Sequence, residues 1–221
     1  MARTSVHLER AFATLPTSLH LSTAATRDYD AVEFTDLWDR NTQELRDELL
    51  LHGLKVSCMS APPPNYTGGS PGWAADPQTQ SRFQSDLHRV GRYAQVLRPA
   101  MIELGLGPAR GATAIDTLSR NIQYATQTLP GLCFGIPIFE PNAPSEFWSE
   151  LGDAIDVVSG VADVGLILDA AWARKLGYAP DRVWDAVGDH ILNLRVTKAD
   201  TETGFAQGLD RSGFDGWITH V

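Results

Sequence analysis

The chain has 221 residues, of which 43% are hydrophobic, and a formal net charge of −9 at pH 7. This length and apolar content predict one compact domain over residues 1–221 with a large core. The negative net charge disfavours nucleic acid and anionic membranes as partners, because binding to either requires clusters of Lys and Arg. No apolar run approaches the roughly 20 residues that span a bilayer. We therefore expect a small-molecule ligand, no nucleic acid and no membrane association.

The N-terminal stretch MARTSVHLERAF lacks the apolar region of a secretory signal peptide. Cys58 and Cys133 both lie within predicted strands, and we expect two small core side chains rather than a metal-binding pair. Two buried thiols in such a chain indicate a reducing compartment. The sequence therefore predicts a cytoplasmic protein.

Short apolar runs alternate with longer amphipathic ones, which is typical of βα units around a parallel sheet. A first strand is predicted within residues 5–12, where the alternation is poor. The other predicted strands are residues 31–35, 54–61, 101–107, 132–139, 164–170, 192–197 and 217–221. Eight strands in this order predict a parallel sheet with helical connections.

Helix boundaries carry recognisable capping residues. Asn41 begins a helix, with Glu44 as its capping-box partner, and Gly53 ends it. Asp76 and Pro77 begin the next helix as an N-cap acid and a first-position proline. The core-facing side of that helix is Phe83, Leu87, Val90, Ala94 and Leu97.

Three further helices follow in the second half of the chain. After Gly111, Thr113 and Asp116 are predicted to form a capping pair. The next helices are predicted at 145–158 and at 180–189, where a proline again suits the first turn.

These elements predict a compact (β/α)₈ TIM barrel at the short end of the usual length. The last strand coincides with the last residue, so we expect the barrel to lack its final helix. A doubly wound sheet is disfavoured, because the GLGPARG run (105–111) lacks the spacing of a dinucleotide-binding loop. The long Pro- and Gly-rich stretch at 62–75 is predicted to be a functional loop over the barrel mouth.

Six short stretches spread over nearly the whole chain carry a family resemblance. They are DYDAVEF (28–34), HGLKV (52–56), GWAADP (72–77), NIQYA (121–125), VGLILDAAWA (164–173) and GFDGWI (213–218). Together they resemble the hydroxypyruvate isomerase family of xylose-isomerase-like barrels. The resemblance implies a sugar or keto-acid isomerase frame with a divalent metal held at the carboxyl ends of strands five to eight.

The ligands that the resemblance implies are mostly replaced in this chain. Asp169 keeps the strand-six acid, but Trp172 stands where a histidine usually follows. The strand-seven position falls on Arg195, a cation that would repel a divalent metal and could replace its charge. The strand-eight position falls on Val221, and the covering loop after strand seven is reduced to KADTETGF (198–205). We expect a degraded site with no metal and no other cofactor, and a divalent metal is the alternative left open.

The register of strand five is ambiguous. Spacing back from Asp169 places the ligand position at Ile136 or Pro137. The local Glu140-Pro141 pair resembles the family's Glu-Pro and would place Glu140 there instead. Both alternatives stay open at this point.

Strand alternation predicts a charged cluster at the barrel mouth. Residues two apart share a face, so Glu103, Asp169 and Arg195 are expected to converge there, together with Glu140 if its register is correct. These four residues are the catalytic candidates. An interior arginine between carboxylates is also a common structural network, and Glu33 is left open between a structural and a functional role.

Five residues are candidates for contacting substrate: Trp172, Asn193, Tyr66, Trp73 and His220. Asn193 shares a strand face with Arg195, and Tyr66 and Trp73 lie in the long loop. His220 is kept as an acid-base candidate at the end of the last strand, whereas His7 is given no role.

Two functions follow from this reading. The first is a metal-independent isomerase-like enzyme that performs isomerisation, epimerisation, dehydration or cyclisation of a small oxygenated or carbonyl compound. Its substrate is expected to be larger or less polar than hydroxypyruvate. The alternative is a non-catalytic barrel that binds a metabolite or a partner protein. In either case a homo-oligomer is one way to cover the apolar surface that the missing helix would leave.

Overall fold

A computed structural model describes residues 3–140, 143–144, 147–201, 205 and 214–221. Eight parallel strands close into a barrel in chain order, and β8 pairs with β1. The strands are β1 (Arg3–His7), β2 (Ala31–Phe34), β3 (Lys55–Ala61), β4 (Met101–Leu104), β5 (Phe134–Pro137), β6 (Val164–Asp169), β7 (Ile191–Val196) and β8 (Trp217–His220). The predicted (β/α)₈ barrel is confirmed, and β8 is followed by Val221.

Helices connect the strands on the outside of the barrel. They are α1 (Leu8–Ala11), α2 (His20–Thr26), α3 (Thr42–Leu51), α4 (Gln80–Leu97), α5 (Ala112–Thr128), α6 (Leu151–Val158), α7 (Ala170–Lys175), α8 (Pro180–Val187) and α9 (Lys198–Thr201). Asn41 caps α3 as predicted, since its side chain accepts hydrogen bonds from the backbone N–H groups of residues 43 and 44.

Two predicted helix starts need correction, and a third is confirmed. The capping pair of Thr113 and Asp116 is wrong, because α5 begins at Ala112 with Gly111 as its N-cap and Thr113 lies inside the helix. The helix predicted from residue 145 begins at Leu151. The start predicted at Asp76 and Pro77 is confirmed, since Asp76 accepts from the N–H of Gln78 as an N-cap, and the first turn over Pro77–Thr79 is a 3₁₀ helix.

The main core lies between the barrel and the helices. The predicted apolar face of α4 is buried there in full. A smaller apolar cluster fills the amino-terminal half of the barrel interior and consists of Ala31, Cys58, Met101, Ile167 and Trp217. Above it, the interior becomes polar toward the carboxyl ends of the strands, which is where the catalytic groups of barrel enzymes lie.

Some sequence features fall outside the described residues: Pro141, residues 202–204 of the stretch after β7, and Gly213 of the last family-like stretch. In the part of the chain that is described, no helix combines the length and apolar character needed to cross a bilayer.

Candidate active site at the carboxyl ends of the strands

A cavity of about 610 Å³ opens at the carboxyl ends of the strands. Its charged and titratable lining consists of His7, Arg10, Asp36, Glu103, Glu140 and Arg195. The predicted residues Trp73 and Trp172 also line it, and so do prolines of the loop after β3. The volume lies within the usual range of small-molecule sites, about 300–1,000 Å³.

Arg195 of β7 lies between two carboxylates in the barrel interior. Its Nε donates to Glu33 Oε1 at 2.7 Å, and Nη2 donates to the same oxygen. Its Nη1 donates to Glu103 Oε1 at 3.0 Å, and Nη2 donates to Glu103 Oε2 at 2.6 Å. Among the described residues, this leaves one N–H of Nη1 without a protein acceptor. The predicted meeting of Glu103 and Arg195 therefore occurs, with Glu33 as the second acid.

This contact fixes the charges of the cluster. Burial lowers the pKa of Arg195, but the charges of Glu103 and Glu33 outweigh that effect and raise the pKa well above its usual value. Burial raises the pKa of Glu103, but the Arg195 charge and its hydrogen bonds lower it overall. A permanent guanidinium cation thus faces ionised Glu103. Ser60 Oγ supports the arrangement by donating to Glu103 Oε2 at 2.6 Å.

The network continues downward through Asn193. Its Nδ2 donates to Glu33 Oε2 at 3.0 Å, and its Oδ1 accepts from Thr219 Oγ1 at 2.8 Å. Thr219 in turn lies 2.6 Å from Ser5 Oγ. Asn193 is fully buried by these contacts. It therefore orients Glu33 from below and does not reach the cavity as a substrate-binding residue.

Glu140 lies three residues beyond the end of β5 and lines the cavity. Its Oε2 accepts a hydrogen bond from Leu106 N at 2.8 Å. Burial raises its pKa to about 7, to which the nearby charge of Glu103 also contributes. Ile136 is fully buried within β5. The geometry thus brings Glu140 to the cavity as the strand-five carboxylate.

Asp169 does not pair with Arg195, although the two residues are neighbours in the sheet register. Its Oδ2 accepts from Arg10 Nη1 at 2.6 Å, and its Oδ1 accepts from Trp172 N at 3.1 Å as the N-cap of α7. The expected convergence of three charges therefore holds for two of them. Arg10 intervenes because α1 begins directly after β1 and brings it to this side of the mouth.

His7 was not selected from the sequence, yet it lines the cavity at the end of β1. Its Nδ1 lies 3.2 Å from Glu9 Oε2, and its Nε2 lies 3.9 Å from Glu33 Oε1. Burial raises the pKa of Glu9, but the hydrogen bond and charge of His7 outweigh it and lower the pKa. His7 could have been identified from its position at the carboxyl end of a strand. The poor hydrophobic alternation of residues 5–12, however, left the end of that strand undefined in the sequence.

Two other predicted residues lie away from the cavity. Tyr66 is 63% exposed, and its ring centre lies 5.3 Å from the guanidinium carbon of Arg89. His220 points out of the barrel, because its neighbour Thr219 points in, and its ring packs 5.5 Å from that of Tyr29. Burial lowers the pKa of His220. These positions do not fit the substrate contacts predicted for them.

The donors present do not fit the divalent metal that the family resemblance implies. Glu33, Cys58 and Glu103 bring potential ligand atoms within 4.8 Å of one another. However, the guanidinium of Arg195 already binds both carboxylates. Burial, with the charges of Glu33 and Glu103, raises the pKa of the Cys58 thiol well above its usual value, so the thiol is neutral.

At the rim, the acid that the family would use as a ligand is also engaged. Both Asp169 oxygens accept hydrogen bonds from the protein. Val221 has no ligating side chain. The strand-six and strand-eight positions therefore do not offer the free ligands that the family's metal would require.

Comparison with known proteins finds a distant sequence relative and solved structures of similar fold. No protein-family model matches the chain. A putative hydroxypyruvate isomerase from Caenorhabditis elegans is 24% identical over an alignment of 163 residues, which covers 71% of this chain and 62% of that relative. The match thus spans less than two thirds of the relative's length.

Solved structures share the fold over the full chain. The AP endonuclease, family 2, from Brucella melitensis matches 100% of this chain and 92% of its own with a TM-score of 0.85 and 20% identity. The apo form of 3-keto-D-glucoside 4-epimerase from E. coli matches 100% of this chain and 92% of its own chain, with a TM-score of 0.77 and 12% identity. At these identities the structures establish the fold alone. The sequence match confirms the predicted resemblance to a hydroxypyruvate isomerase, and the solved structures share the TIM barrel fold.

Proposed function

We propose that this chain catalyses a metal-independent isomerisation or epimerisation of a small carbonyl compound by proton transfer. The observation that carries the proposal is Glu140, a cavity-lining carboxyl whose pKa is raised to about 7 by burial. A group with such a pKa is present in both protonation states near neutral pH, so it can accept and return protons. The relatives named above include an isomerase and an epimerase, which supports this reaction class.

A second proton-exchanging group is provided by His7. In a closed barrel of eight strands, β1 lies opposite β5, so His7 and Glu140 approach the cavity from opposite sides. One group removes a proton from the carbon next to the carbonyl, and the electron pair forms a C=C bond while the oxygen becomes negative. The other returns a proton to the opposite face of that carbon. This sequence inverts the carbon centre, which is an epimerisation.

The developing oxyanion requires a cation that is already in position. Arg195 lines the cavity and has one Nη1 N–H without a protein acceptor among the described residues. Glu33 and Glu103 hold its guanidinium plane, so that the remaining N–H has a fixed direction. In this proposal Arg195 supplies the positive charge that a metal would supply in the family, and Glu103 and Glu33 position it.

The test is the exchange of substrate C–H protons in D₂O, followed by ¹H NMR, over a panel of small hydroxy-ketones and keto acids. We expect exchange on one or more compounds, reduced at least a hundredfold in Glu140→Gln and in His7→Asn. The exposed Glu44 on α3 gives the control Glu44→Gln, which should exchange at the normal rate. Equal exchange in all four proteins would contradict the roles of Glu140 and His7.

One observation favours the alternative of a non-catalytic binding barrel. Glu33 and Glu103 accept hydrogen bonds from nearly all the N–H donors of Arg195, as in a purely structural buried network. If the barrel only binds its ligand, a compound that binds in the cavity would show no C–H exchange at any pH between 5 and 9. Saturating binding without exchange therefore selects this alternative.

A further inference from the structure

The cavity has two chemically different sides. The charged and titratable groups described above lie at the ends of β1, β2, β4, β5 and β7, with Asp36 following β2. The remaining side is built by the loop after β3 and consists of Pro62, Pro63, Pro64, Pro71 and Trp73. A polyhydroxylated sugar would leave its hydroxyl groups without partners along this second side. The lining therefore suits a ligand with one polar end and one apolar body.

Trp73 is fixed in the apolar wall by glycines of the chain after β4. A Cβ added at Gly105 would lie 2.8 Å from Trp73 Cζ3, and one at Gly107 would lie 2.3 Å from Trp73 Cγ. The indole thus occupies space that only glycine leaves open at both positions. The flanking backbone is held as well, since Ala74 N donates to Gly105 O at 2.9 Å. The wall is preorganised, which favours binding of a flat apolar group.

Arg10 provides a cation at the rim of the same cavity. Its Nη1 is held by the buried carboxylate of Asp169 at 2.6 Å, and its side chain is 36% exposed. Among the described residues, its Nε and Nη2 make no protein hydrogen bond. An arginine that is oriented by one acid and has donors left over is well suited to bind a carboxylate or phosphate.

The cavity also has a larger volume than a three-carbon acid requires. A volume of about 610 Å³ corresponds to on the order of 20 water molecules at about 30 Å³ each. The order of the strands places Glu140 between Trp73, which packs over the end of β4, and Trp172, which follows β6. The reacting carbon at Glu140 would thus lie beside an aromatic surface.

We propose that the ligand is an amphipathic organic anion, with its carboxylate or phosphate on Arg10 and a planar apolar body against Trp73. This inference names the substrate class for the proposed function and rests on it for the reaction. Binding itself, however, depends on Arg10 and Trp73 and not on proton transfer. Trp73 acts here as a specificity residue, and Arg10 as an anion-binding residue.

The test is calorimetric titration with four probes: phenylacetate, phenyl phosphate, acetate and benzyl alcohol. An aromatic anion should bind at least about tenfold tighter than both acetate and benzyl alcohol, because only it uses both sides of the cavity. This factor is the size expected from one charge-assisted hydrogen bond. Whichever of phenylacetate and phenyl phosphate binds tighter identifies the anion.

Variants of Arg10 and Trp73, compared with control variants, show which residues contribute to the affinity. Arg10→Gln should weaken the aromatic anion about tenfold and leave benzyl alcohol unchanged, whereas Arg10→Lys should retain part of the affinity. Trp73→Leu should weaken the aromatic anion and leave acetate unchanged. The controls are Arg46→Gln on the exposed face of α3 and Tyr66→Leu in the same loop, which should both bind normally.

The proposal would be overturned if neither phenylacetate nor phenyl phosphate binds tighter than acetate, or if the affinity for the aromatic anion is unchanged in both Arg10 variants. The unfolding midpoint of each variant shows that it is folded under the titration conditions. Glu140→Gln separates this inference from the proposed function, because it should still bind the aromatic anion while it loses C–H exchange. Binding without exchange in the unmodified protein would contradict the reaction and leave the ligand class standing.

Discussion

Arg195 and Glu103 form a two-point ion pair across the barrel interior, with Nη1–Oε1 at 3.0 Å and Nη2–Oε2 at 2.6 Å. The pair joins β7 to β4, and Glu33 of β2 holds the other side of the guanidinium. Three strands that are not neighbours in the sheet are thus tied through one side chain. The Arg195 cation thus balances the two buried carboxylates in the upper interior of the barrel.

Removing that cation should destabilise the fold. Arg195→Met would leave Glu33 and Glu103 buried without compensation, which costs about 3–5 kcal/mol for a broken buried pair. Urea unfolding at pH 7.5 measures the free energy of unfolding. The triple variant Glu33→Gln, Glu103→Gln, Arg195→Met should recover much of the loss, because no buried charge remains. A loss below about 1 kcal/mol in Arg195→Met would show that the carboxylates are not confined as described.

Glu140 should make stability depend on pH. Its pKa rises on folding from 4.5 to about 7, so between these values the folded state holds a proton that the unfolded state has lost. The contribution of Glu140 to stability therefore decreases as pH rises through this window. Replacing it by Gln removes the dependence.

We accordingly expect Glu140→Gln to gain stability relative to the unmodified protein as pH rises from 5 to 8. At about 1.36 kcal/mol per pKa unit, the gain has an upper limit of about 3 kcal/mol. Urea unfolding at both pH values measures it, with Glu44→Gln as the exposed control. A difference that does not change with pH would contradict a raised pKa at Glu140.

The wall formed by Trp73 gives a third prediction. Gly107 has φ +81° and Gly53 has φ +67°, so Ala at either position costs about 1–2 kcal/mol of backbone strain. An added Cβ at Gly53 meets no atom within 4 Å, whereas at Gly107 it meets Trp73. Gly107→Ala should therefore lower the unfolding free energy by at least about 1 kcal/mol more than Gly53→Ala. Equal losses would mean that Trp73 does not pack against Gly107.

The barrel could be predicted from the sequence because its signals are local. Eight apolar runs in βα order and the capping by Asn41 depend on residues close together in the chain. The start of α5 was misplaced because Thr113 and Asp116 fit a capping pattern, while Gly111, with φ 76°, was the actual N-cap.

The family-like Glu140-Pro141 pair predicted the place of Glu140 at the cavity, and strand alternation predicted the charged pair of β4 and β7. That rule brought Glu103 and Arg195 to one face, and the geometry agrees. Strand alternation could not show that Arg10, which is 159 positions away in the chain, forms an ion pair with the carboxylate of Asp169. Partner choice among several charges at one barrel mouth depends on side-chain reach across strands, which periodicity does not encode.

The central claim is proton transfer through Glu140 without a metal. The most direct test is C–H exchange in D₂O by protein that has been dialysed against EDTA, with and without added Mg²⁺, Mn²⁺ or Zn²⁺. We predict the same exchange rate in every case, and its loss in Glu140→Gln. Exchange that disappears after EDTA treatment and returns with a divalent ion would contradict the claim.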